Sequence, residues 1–255
     1  MQEDKKSIEA GSVSSKTVNG ATTVSFAHPK SNSLPGRLLE ELAQSVRDAG
    51  LDQATTVIVI RSEGKGAFCA GASFDELKAV SDAASGKKFF MGFARLIVDM
   101  IRCPKIIVTR VHGKAVGGGV GIIGASDYVL ATNAAQIRLS ELAIGLGPFI
   151  VGPAIERKIG MGAFSAMTID ADWRDAAWAE RHGLYAEVHP DMESLDSALA
   201  KRVADLTASN PEAMAKLKSV FWRDTDDWAQ LLESRAEMSG SLVLSEFTRK
   251  AIGKE

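Results

Sequence analysis

The sequence predicts an α/β fold with a helical carboxyl-terminal part. Short apolar runs typical of buried strands alternate with helical patterns through most of the chain, and only helical patterns follow. Twice, a strand-like run leads into a glycine-rich loop that opens a helical pattern, at 62–73 and at 111–126. With 255 residues, the chain is long enough for one large domain or two small ones.

The individual elements are predicted from local patterns. Residues 17–27 alternate as in a hairpin around Asn19 and Gly20, which favour a tight turn. Further strands are predicted at 57–60, 106–111, 128–131, 136–139 and 184–188. Helices are predicted at 35–49, 74–100 with a polar break at 81–87, 151–159, 163–169, 173–182 with Asp172 as N-cap, 195–206, 211–222 with Asn210 as N-cap, and 228–252. The chain divides into a disordered tail (1–15), a core (16–200) and a helical region (201–255).

Composition and charge exclude several classes of function. The formal net charge is -2, so no overall basic field points to nucleic acid or to an anionic membrane surface. No apolar run reaches the roughly 20 residues of a membrane span, and the polar start lacks the apolar core of a signal peptide. Cys69 and Cys103 suit a reducing cytoplasm, and the cysteines and histidines show no metal-ligand spacing. We therefore expect a cytoplasmic protein without a metal or a redox cofactor, and without nucleic-acid or membrane partners.

The stretch at 111–126 is the most informative part of the sequence. Gly117, Gly118 and Gly119 follow a buried strand and open a small, apolar helix. The N–H groups at the start of such a helix lack carbonyl partners and, together with the helix dipole, favour a negative charge in front of them. Glycines let a ligand come close to the backbone, although they also serve tight packing alone.

Four motifs occur in the order and at the spacing of a known family. They are HPKSNSL at 28–34, AFCAGAS at 67–73, AVGGGVG at 115–121 and SELAIGLG at 140–147. From about Thr17 to the carboxyl terminus, the chain resembles the crotonase family, the enoyl-CoA hydratase/isomerase superfamily. The resemblance implies a spiral of ββα repeats with a helical trimerisation region, and hence a homotrimer or a hexamer of two trimers. It also implies an acyl-CoA thioester substrate, with coenzyme A bound only as part of that substrate.

The same resemblance assigns candidate site residues. The backbone N–H groups of Ala72 and Gly118 match the family's oxyanion hole, which stabilises negative charge on a thioester carbonyl oxygen. Ala70 matches a backbone contact to the adenine of coenzyme A. Lys30 matches a basic residue near the phosphates, although an ordinary surface lysine would fit the same sequence.

The acidic residues differ from those of the family's hydratases, which use two glutamates to handle one water molecule. Gly121 stands at the place of the first glutamate, and Glu141 matches the second. The apolar residues after Glu141 predict burial, which raises the pKa of a carboxyl group and suits a general base. A residue of a surface turn is the alternative for Glu141. Phe149 is expected to add apolar bulk that excludes water.

These residues favour a one-base isomerase, in which Glu141 shifts the double bond of a 3-enoyl-CoA to give a 2-enoyl-CoA. The first alternative is an enoyl-CoA hydratase, for example for methylglutaconyl-CoA, with another group in place of the missing glutamate. The second alternative is a non-catalytic or RNA-binding homologue. The near-neutral charge and the presence of Glu141 count against that second alternative.

Overall fold

The computed structural model describes residues 10–253. The strands are β1 (Ser12–Val18), β2 (Ala21–Ala27), β3 (Val57–Ser62), β4 (Ile106–Val111), β5 (Ala115–Val116), β6 (Tyr128–Thr132), β7 (Ile137–Arg138) and β8 (Glu187–His189). The helices are α1 (Gly36–Leu51), α2 (Phe74–Ala79), α3 (Ala83–Arg102), α4 (Gly118–Ala125), α5 (Gly152–Asp170), α6 (Ala176–Arg181), α7 (Met192–Thr207), α8 (Pro211–Phe221), α9 (Trp228–Leu242) and α10 (Glu246–Ala251).

A central sheet of six strands has the order β1-β2-β3-β4-β6-β8. β1 and β2 form the predicted hairpin and pair antiparallel, whereas every later neighbour pairs in parallel. Parallel neighbours end at the same edge of a sheet, so the loops after β3 and β4 leave that edge side by side. β5 and β7 form a separate parallel pair; β5 leads into the three glycines and β7 leads to Glu141.

Apolar strands and helix faces build the core on both sides of this sheet. The first four residues of β3 and all six of β4 are buried, because helices cover both faces of the sheet. α1 buries Leu38, Leu42 and Val46 along one face. α4 is buried over 119–125, as its small, apolar sequence predicts.

The amino-terminal boundary differs from the prediction. A disordered tail was expected over 1–15, yet β1 begins at Ser12, because its residues pair with β2 along their whole length, from Ser12 opposite Ala27 to Val18 opposite Ala21. Residues 1–9 lie outside the described part of the chain, and the prediction of disorder for them stays a prediction.

Three helix boundaries also correct the predictions. The two short helices expected at 151–159 and 163–169 form one element, α5, with a break at Gly160 (φ 76°, ψ 159°). Asp172 is not an N-cap; Asp175 caps α6 by accepting a hydrogen bond from the N–H of Trp178. The long helix expected over 228–252 is two helices, because the hydroxyl of Ser245 caps a new helix, α10.

The carboxyl-terminal helices fold back onto α3. α9 crosses α3 where two glycines meet: a Cβ added to Gly86 would lie 2.8 Å from the Cα of Gly240. This close crossing carries α10 to the turn that follows Glu141, where Thr248 contacts Gly145.

Within residues 10–253, no helix combines the length and the apolar character that crossing a bilayer requires.

Candidate active site

The two glycine-rich loops lie against each other. Cys69 and Ala115 form an isolated parallel bridge, and the N–H of Val116 donates to the carbonyl of Cys69 at 2.9 Å. A Cβ added to Gly119 would lie 2.6 Å from that same carbonyl oxygen, so a larger residue does not fit there. The glycines therefore serve close packing of the loops as well as ligand approach.

This packing brings the two predicted amides to one cleft. Gly118 is the first residue of α4, so its N–H has no carbonyl partner within the helix. Gly71 adopts φ 87°, and a Cβ added to it would lie 3.5 Å from the nitrogen of Gly118. Ala72 and Gly118 both line the cleft, and among residues 10–253 no backbone carbonyl accepts from either N–H. Two unpaired donors in one cleft suit the stabilisation of an oxyanion.

Glu141 stands beside these donors. The N–H of Gly117 donates to the carbonyl of Arg138 at 3.0 Å, which ties the glycine loop to the strand that leads to Glu141. A Cβ added to Gly117 would lie 3.0 Å from Glu141 Oε1, so the carboxylate packs against the bare glycine backbone. A side chain at this position would displace the carboxylate.

The environment of Glu141 favours its neutral form. Burial raises the pKa of its carboxyl group to about 7, while the N–H groups of Glu141 and Ser140 act more weakly in the opposite direction. Its Oε2 atom is inaccessible to solvent and has no hydrogen-bond partner among the described residues. A pKa near neutrality lets the group take up and release a proton at physiological pH, which suits general acid–base chemistry.

The cleft itself is apolar. It encloses about 870 Å³, including its open mouth, and Glu141 is the one charged side chain among the described residues that line it. Large apolar side chains of the wall include those of Leu77, Phe89, Phe90, Phe93, Ile144, Leu146, Ile150 and Val151. Such a wall strengthens the electrostatic effect of the two amides and of Glu141, because it keeps the local dielectric low.

The place of the missing glutamate is filled by aliphatic side chains. A Cβ added to Gly121 would lie 2.5 Å from Val151 Cγ1 and 3.5 Å from Ile97 Cδ1, so the site has no room for a side chain. Val151 also lines the cleft. The sequence shows that the glutamate is absent but carries no signal that Val151 occupies its place.

Phe149, which was expected to exclude water from the site, does not line the cleft. Its ring lies against Gly147, where an added Cβ would come within 2.5 Å of Phe149 Cζ. Ile150 and Val151 form the apolar wall instead. Phe93 also lines the cleft, and its ring atom Cζ would lie 2.2 Å from a Cβ on Gly118. The position of Phe93 in the helical pattern fits a core residue as well as a cleft residue, so the sequence does not distinguish these two roles.

The predicted coenzyme A contacts lie at the edge of the site. Ala70 lines the cleft, and its N–H donates to the carbonyl of Ser31 at 3.1 Å, which places the loop at 28–34 beside it. Lys30 is exposed on that loop and forms an ion pair with Asp75. An exposed pair of this kind is weakly held, so the ammonium group can exchange partners. The role of both residues in binding coenzyme A stays a prediction.

The expectation that no metal takes part stays a prediction. In residues 10–253, no three His, Cys, Asp or Glu side chains are grouped as a metal site would require. Cys69 packs beside the cleft, and burial raises the pKa of its thiol to about 12, so the reactive thiolate is not formed near neutral pH.

Two unpaired backbone donors and a carboxylate in one apolar cleft are the groups that acid–base chemistry next to a stabilised oxyanion requires. The sequence profile described as enoyl-CoA hydratase/isomerase matches residues 16–252. The chain belongs to this family, the crotonase superfamily of acyl-CoA enzymes, as the four motifs predict.

Relatives within the family carry several activities. The chain is 34% identical over 211 residues to the (7aS)-7a-methyl-1,5-dioxo-2,3,5,6,7,7a-hexahydro-1H-indene-carboxyl-CoA hydrolase of Rhodococcus jostii (strain RHA1), covering 83% of this chain and 80% of that protein. It is 30% identical over 171 residues to the mitochondrial methylglutaconyl-CoA hydratase of Homo sapiens, covering 67% of this chain and 50% of that protein. The crystal structure of enoyl-CoA hydratase from Bacillus halodurans matches with a TM-score of 0.87 at 19% identity, over 95% of this chain and 99% of that one. This last similarity confirms the predicted fold class.

Proposed function

We propose that the chain converts a 3-enoyl-CoA to a 2-enoyl-CoA, with Glu141 as the single acid–base group. The observation that carries this proposal is the isolation of Glu141: it is the one charged side chain among the described residues of the cleft, and its Oε2 atom is buried without a partner. Isomerisation needs only one such group, because the proton that is removed at one carbon is returned at another.

The proposed reaction uses Glu141 and the two backbone amides in turn. Glu141 takes a proton from C2 of the 3-enoyl thioester, and the electron pair of that C–H bond forms a dienolate whose charge rests on the thioester oxygen. The N–H groups of Ala72 and Gly118 donate to this oxygen. The electrons then return, the new double bond forms between C2 and C3, and Glu141 gives its proton to C4. Substrate and product have the same atoms, and no metal or redox cofactor is required.

Hydration of a 2-enoyl-CoA has less support. In a two-glutamate hydratase, both carboxylates handle the water, and here the position of the first glutamate is Gly121, packed under Val151. Ser73 and Ser140 are the other lining residues with polar side chains, and neither is ionisable near neutral pH.

A hydrolase is the second candidate function, because of the relative named as a hydrolase that matches most of both chains. One carboxylate also suffices for this reaction. Glu141 would take a proton from water, the hydroxide would add to the 3-oxo carbon of a 3-oxoacyl-CoA, and the C2–C3 bond would break. The resulting thioester enolate would rest in the oxyanion hole and take up a proton at C2.

One experiment separates these functions. The purified protein is incubated with 3-hexenoyl-CoA, 2-hexenoyl-CoA and 3-oxohexanoyl-CoA in turn, and products are identified by mass and by chromatography. The proposal expects a product of unchanged mass from 3-hexenoyl-CoA to form fastest. A faster gain of one water by 2-hexenoyl-CoA would assign a hydratase, and faster cleavage of 3-oxohexanoyl-CoA would assign a hydrolase. No turnover of any substrate, with binding of RNA, would assign the non-catalytic homologue.

We also propose that the acyl group is apolar and uncharged. The described lining contains no lysine, arginine or histidine, so a carboxylate on the acyl chain would enter an apolar wall without a counter-ion. An unpaired buried carboxylate costs several kcal/mol. Hexanoyl-CoA should therefore bind at least about tenfold more tightly than adipoyl-CoA, which has the same number of acyl carbons and a terminal carboxylate.

Isothermal calorimetry measures both dissociation constants without turnover, since neither thioester has a double bond. Coenzyme A alone provides the reference for contacts outside the acyl cleft. A matched variant, Leu77→Arg, adds a cation to the wall and should reverse the preference. Equal affinity of the unaltered protein for the two thioesters would remove the argument against a dicarboxylic substrate such as methylglutaconyl-CoA.

The homotrimer, or the hexamer of two trimers, is a further proposal that rests on the family. Large apolar side chains are exposed on α5, with Met161 60% and Ile169 71% accessible, and on the last two helices at Met238 and Phe247. Exposed apolar side chains of this size favour contact with another protein surface. Light scattering at micromolar concentration should give the mass of three or six chains, and the mass of one chain would contradict the proposal.

A further inference from the structure

The last helix of the chain contacts the turn that begins at Glu141. Ser245 caps α10, and Thr248 lies in the first turn of that helix with no accessible surface. The two contacting segments are far apart in sequence, and α10 reaches the turn only because α9 folds back across α3. The contact therefore joins the helical end of the chain to the candidate active site.

A short chain of hydrogen bonds makes this contact. The hydroxyl of Ser245 donates to Thr248 Oγ1 at 3.0 Å and accepts from the N–H of Thr248 at 3.2 Å. Thr248 Oγ1 in turn donates to the carbonyl oxygen of Gly145 at 3.2 Å. The hydroxyl of Thr248 is thus oriented on one side by Ser245 and bound on the other to Gly145.

A hydrogen-bonded turn connects Gly145 to Glu141. Its N–H donates to the carbonyl of Leu142 at 3.0 Å, and the N–H groups of Ile144 and Leu146 donate to the carbonyl of Glu141 at 3.1 and 3.0 Å. Gly145 adopts φ 79°, and a Cβ there would lie 2.6 Å from Phe247 Cδ1 and from Thr248 Oγ1. The turn and α10 therefore meet with no space between them.

We propose that Thr248 is a positioning residue that holds the Glu141 turn against the oxyanion donors. Thr248 does not reach the cleft; it acts through the carbonyl of Gly145 and the backbone of the turn. The inference rests on the proposed role of Glu141 as the base, and it adds that the carboxyl-terminal helix of the same chain sets the position of that base.

Apolar packing supports the same contact. Val243 and Ile252 form a buried cluster with Leu146, Leu77 and Val80, and the partly buried cleft residues Phe89, Phe90 and Ile144 pack against this cluster. The helices α9 and α10 thus support the acyl wall and the Glu141 turn together.

Glu141 titrates without charged neighbours on these elements. No charged side chain is among the causes that shift the pKa of Glu141, and the cleft holds no other charged side chain among the described residues. On α10, Glu246, Arg249 and Lys250 are exposed. On α9, Arg235 donates to the carbonyl of Phe149, and Glu233 and Glu237 pair with Lys87. A change in the pH profile of a Thr248 variant would therefore report the solvation of Glu141 rather than the loss of an ion pair.

The test compares Thr248→Val, which removes the hydroxyl but keeps the shape, with Thr248→Ser, which keeps the hydroxyl. In Thr248→Val, kcat for 3-hexenoyl-CoA should fall about tenfold, as expected for the loss of one hydrogen bond and a small displacement of the base. The acid limb of its pH profile should move below 7, because a looser turn admits water to Glu141. The dissociation constant of hexanoyl-CoA should stay unchanged, and Thr248→Ser should restore kcat.

Several results would overturn the inference. These are kcat within twofold of the unaltered protein in Thr248→Val, an equal loss of kcat and of hexanoyl-CoA affinity, and a loss in Thr248→Ser as large as in Thr248→Val. If Thr248→Val does not fold, Thr248→Ala takes its place with the same expectations. Glu141→Gln in the same assay separates the two proposals. If Glu141→Gln keeps full activity, the proposed function fails. If Glu141→Gln loses activity but Thr248→Val keeps the kcat of the unaltered protein, the positioning role alone fails.

Discussion

Replacing Gly118 with proline should lower kcat/KM for 3-hexenoyl-CoA by at least about a hundredfold, the effect of losing one oxyanion donor. Proline has no N–H, and Gly118 is the first residue of α4, where proline is otherwise well tolerated. Where the ring of Phe93 is also removed, the backbone of the helix should persist while one of the two donors to the thioester oxygen is lost. Steady-state kinetics measures the loss, and calorimetry with hexanoyl-CoA reports whether binding survives.

The structure shows that this variant needs a matched background. A Cβ at position 118 would lie 2.2 Å from Phe93 Cζ, so any residue larger than glycine meets the ring. Both Gly118→Pro and Gly118→Ala should be made in a Phe93→Ala protein, in which the ring is absent. Gly118→Ala keeps the N–H and should stay within a few-fold of the Phe93→Ala protein. Equal turnover by the proline and alanine forms would exclude the amide of Gly118 from the oxyanion hole.

The parts of this site that local sequence determines could be predicted. The strand at 106–111 is a continuous apolar run, and its predicted bounds agree with β4. Gly71 (φ 87°) and Gly117 (φ 52°) adopt conformations that favour glycine. The glycines in the sequence therefore indicate the two loops. The acyl-CoA family could be recognised for the same reason, since its motifs are short and local.

The contacts that shape the chemistry could not be predicted, because they join distant segments. Val151 fills the space above Gly121, and no periodicity in the sequence relates these two positions. Thr248 meets Gly145 only after α9 ends and Ser245 starts a new helix. The apolar pattern continues across that break, so one long helix was expected there. Packing of this kind depends on the whole fold, which local propensity does not encode.

Replacing Glu141 with glutamine should lower kcat by about 10²–10⁴-fold, the usual contribution of a positioned acid–base group. Glutamine keeps the shape of the side chain but cannot take up a proton. Binding of hexanoyl-CoA should stay near that of the unaltered protein, because the oxyanion donors and the apolar wall are retained. A glutamine variant with normal kcat would show that another group is the base.

The pH profile of the unaltered enzyme should report the same residue. The base must be ionised to accept a proton, and burial raises the pKa of Glu141 to about 7. The rate should therefore rise with pH through about 7 and fall about tenfold per pH unit below it. A solvated glutamate would instead give an acid limb near its ordinary value of 4.5, and that result would contradict the burial of the active carboxylate.

The stability of the glutamine variant supplies the folded-state control for this prediction. Since the pKa of Glu141 rises from 4.5 to about 7 on folding, the folded chain binds more protons than the unfolded chain between these values, and stability falls as pH increases through them. Above pH 7 the carboxylate is charged and Oε2 has no partner among the described residues.

At pH 8, Glu141→Gln should therefore be more stable than the unaltered protein by about 1–3 kcal/mol. At pH 4 the two should unfold alike, since both side chains are then neutral. If Glu141→Gln loses activity yet gains stability only at pH 8, the loss of activity results from the loss of the ionisable carboxyl group. Lower stability at both pH values would assign the loss of activity to damaged packing.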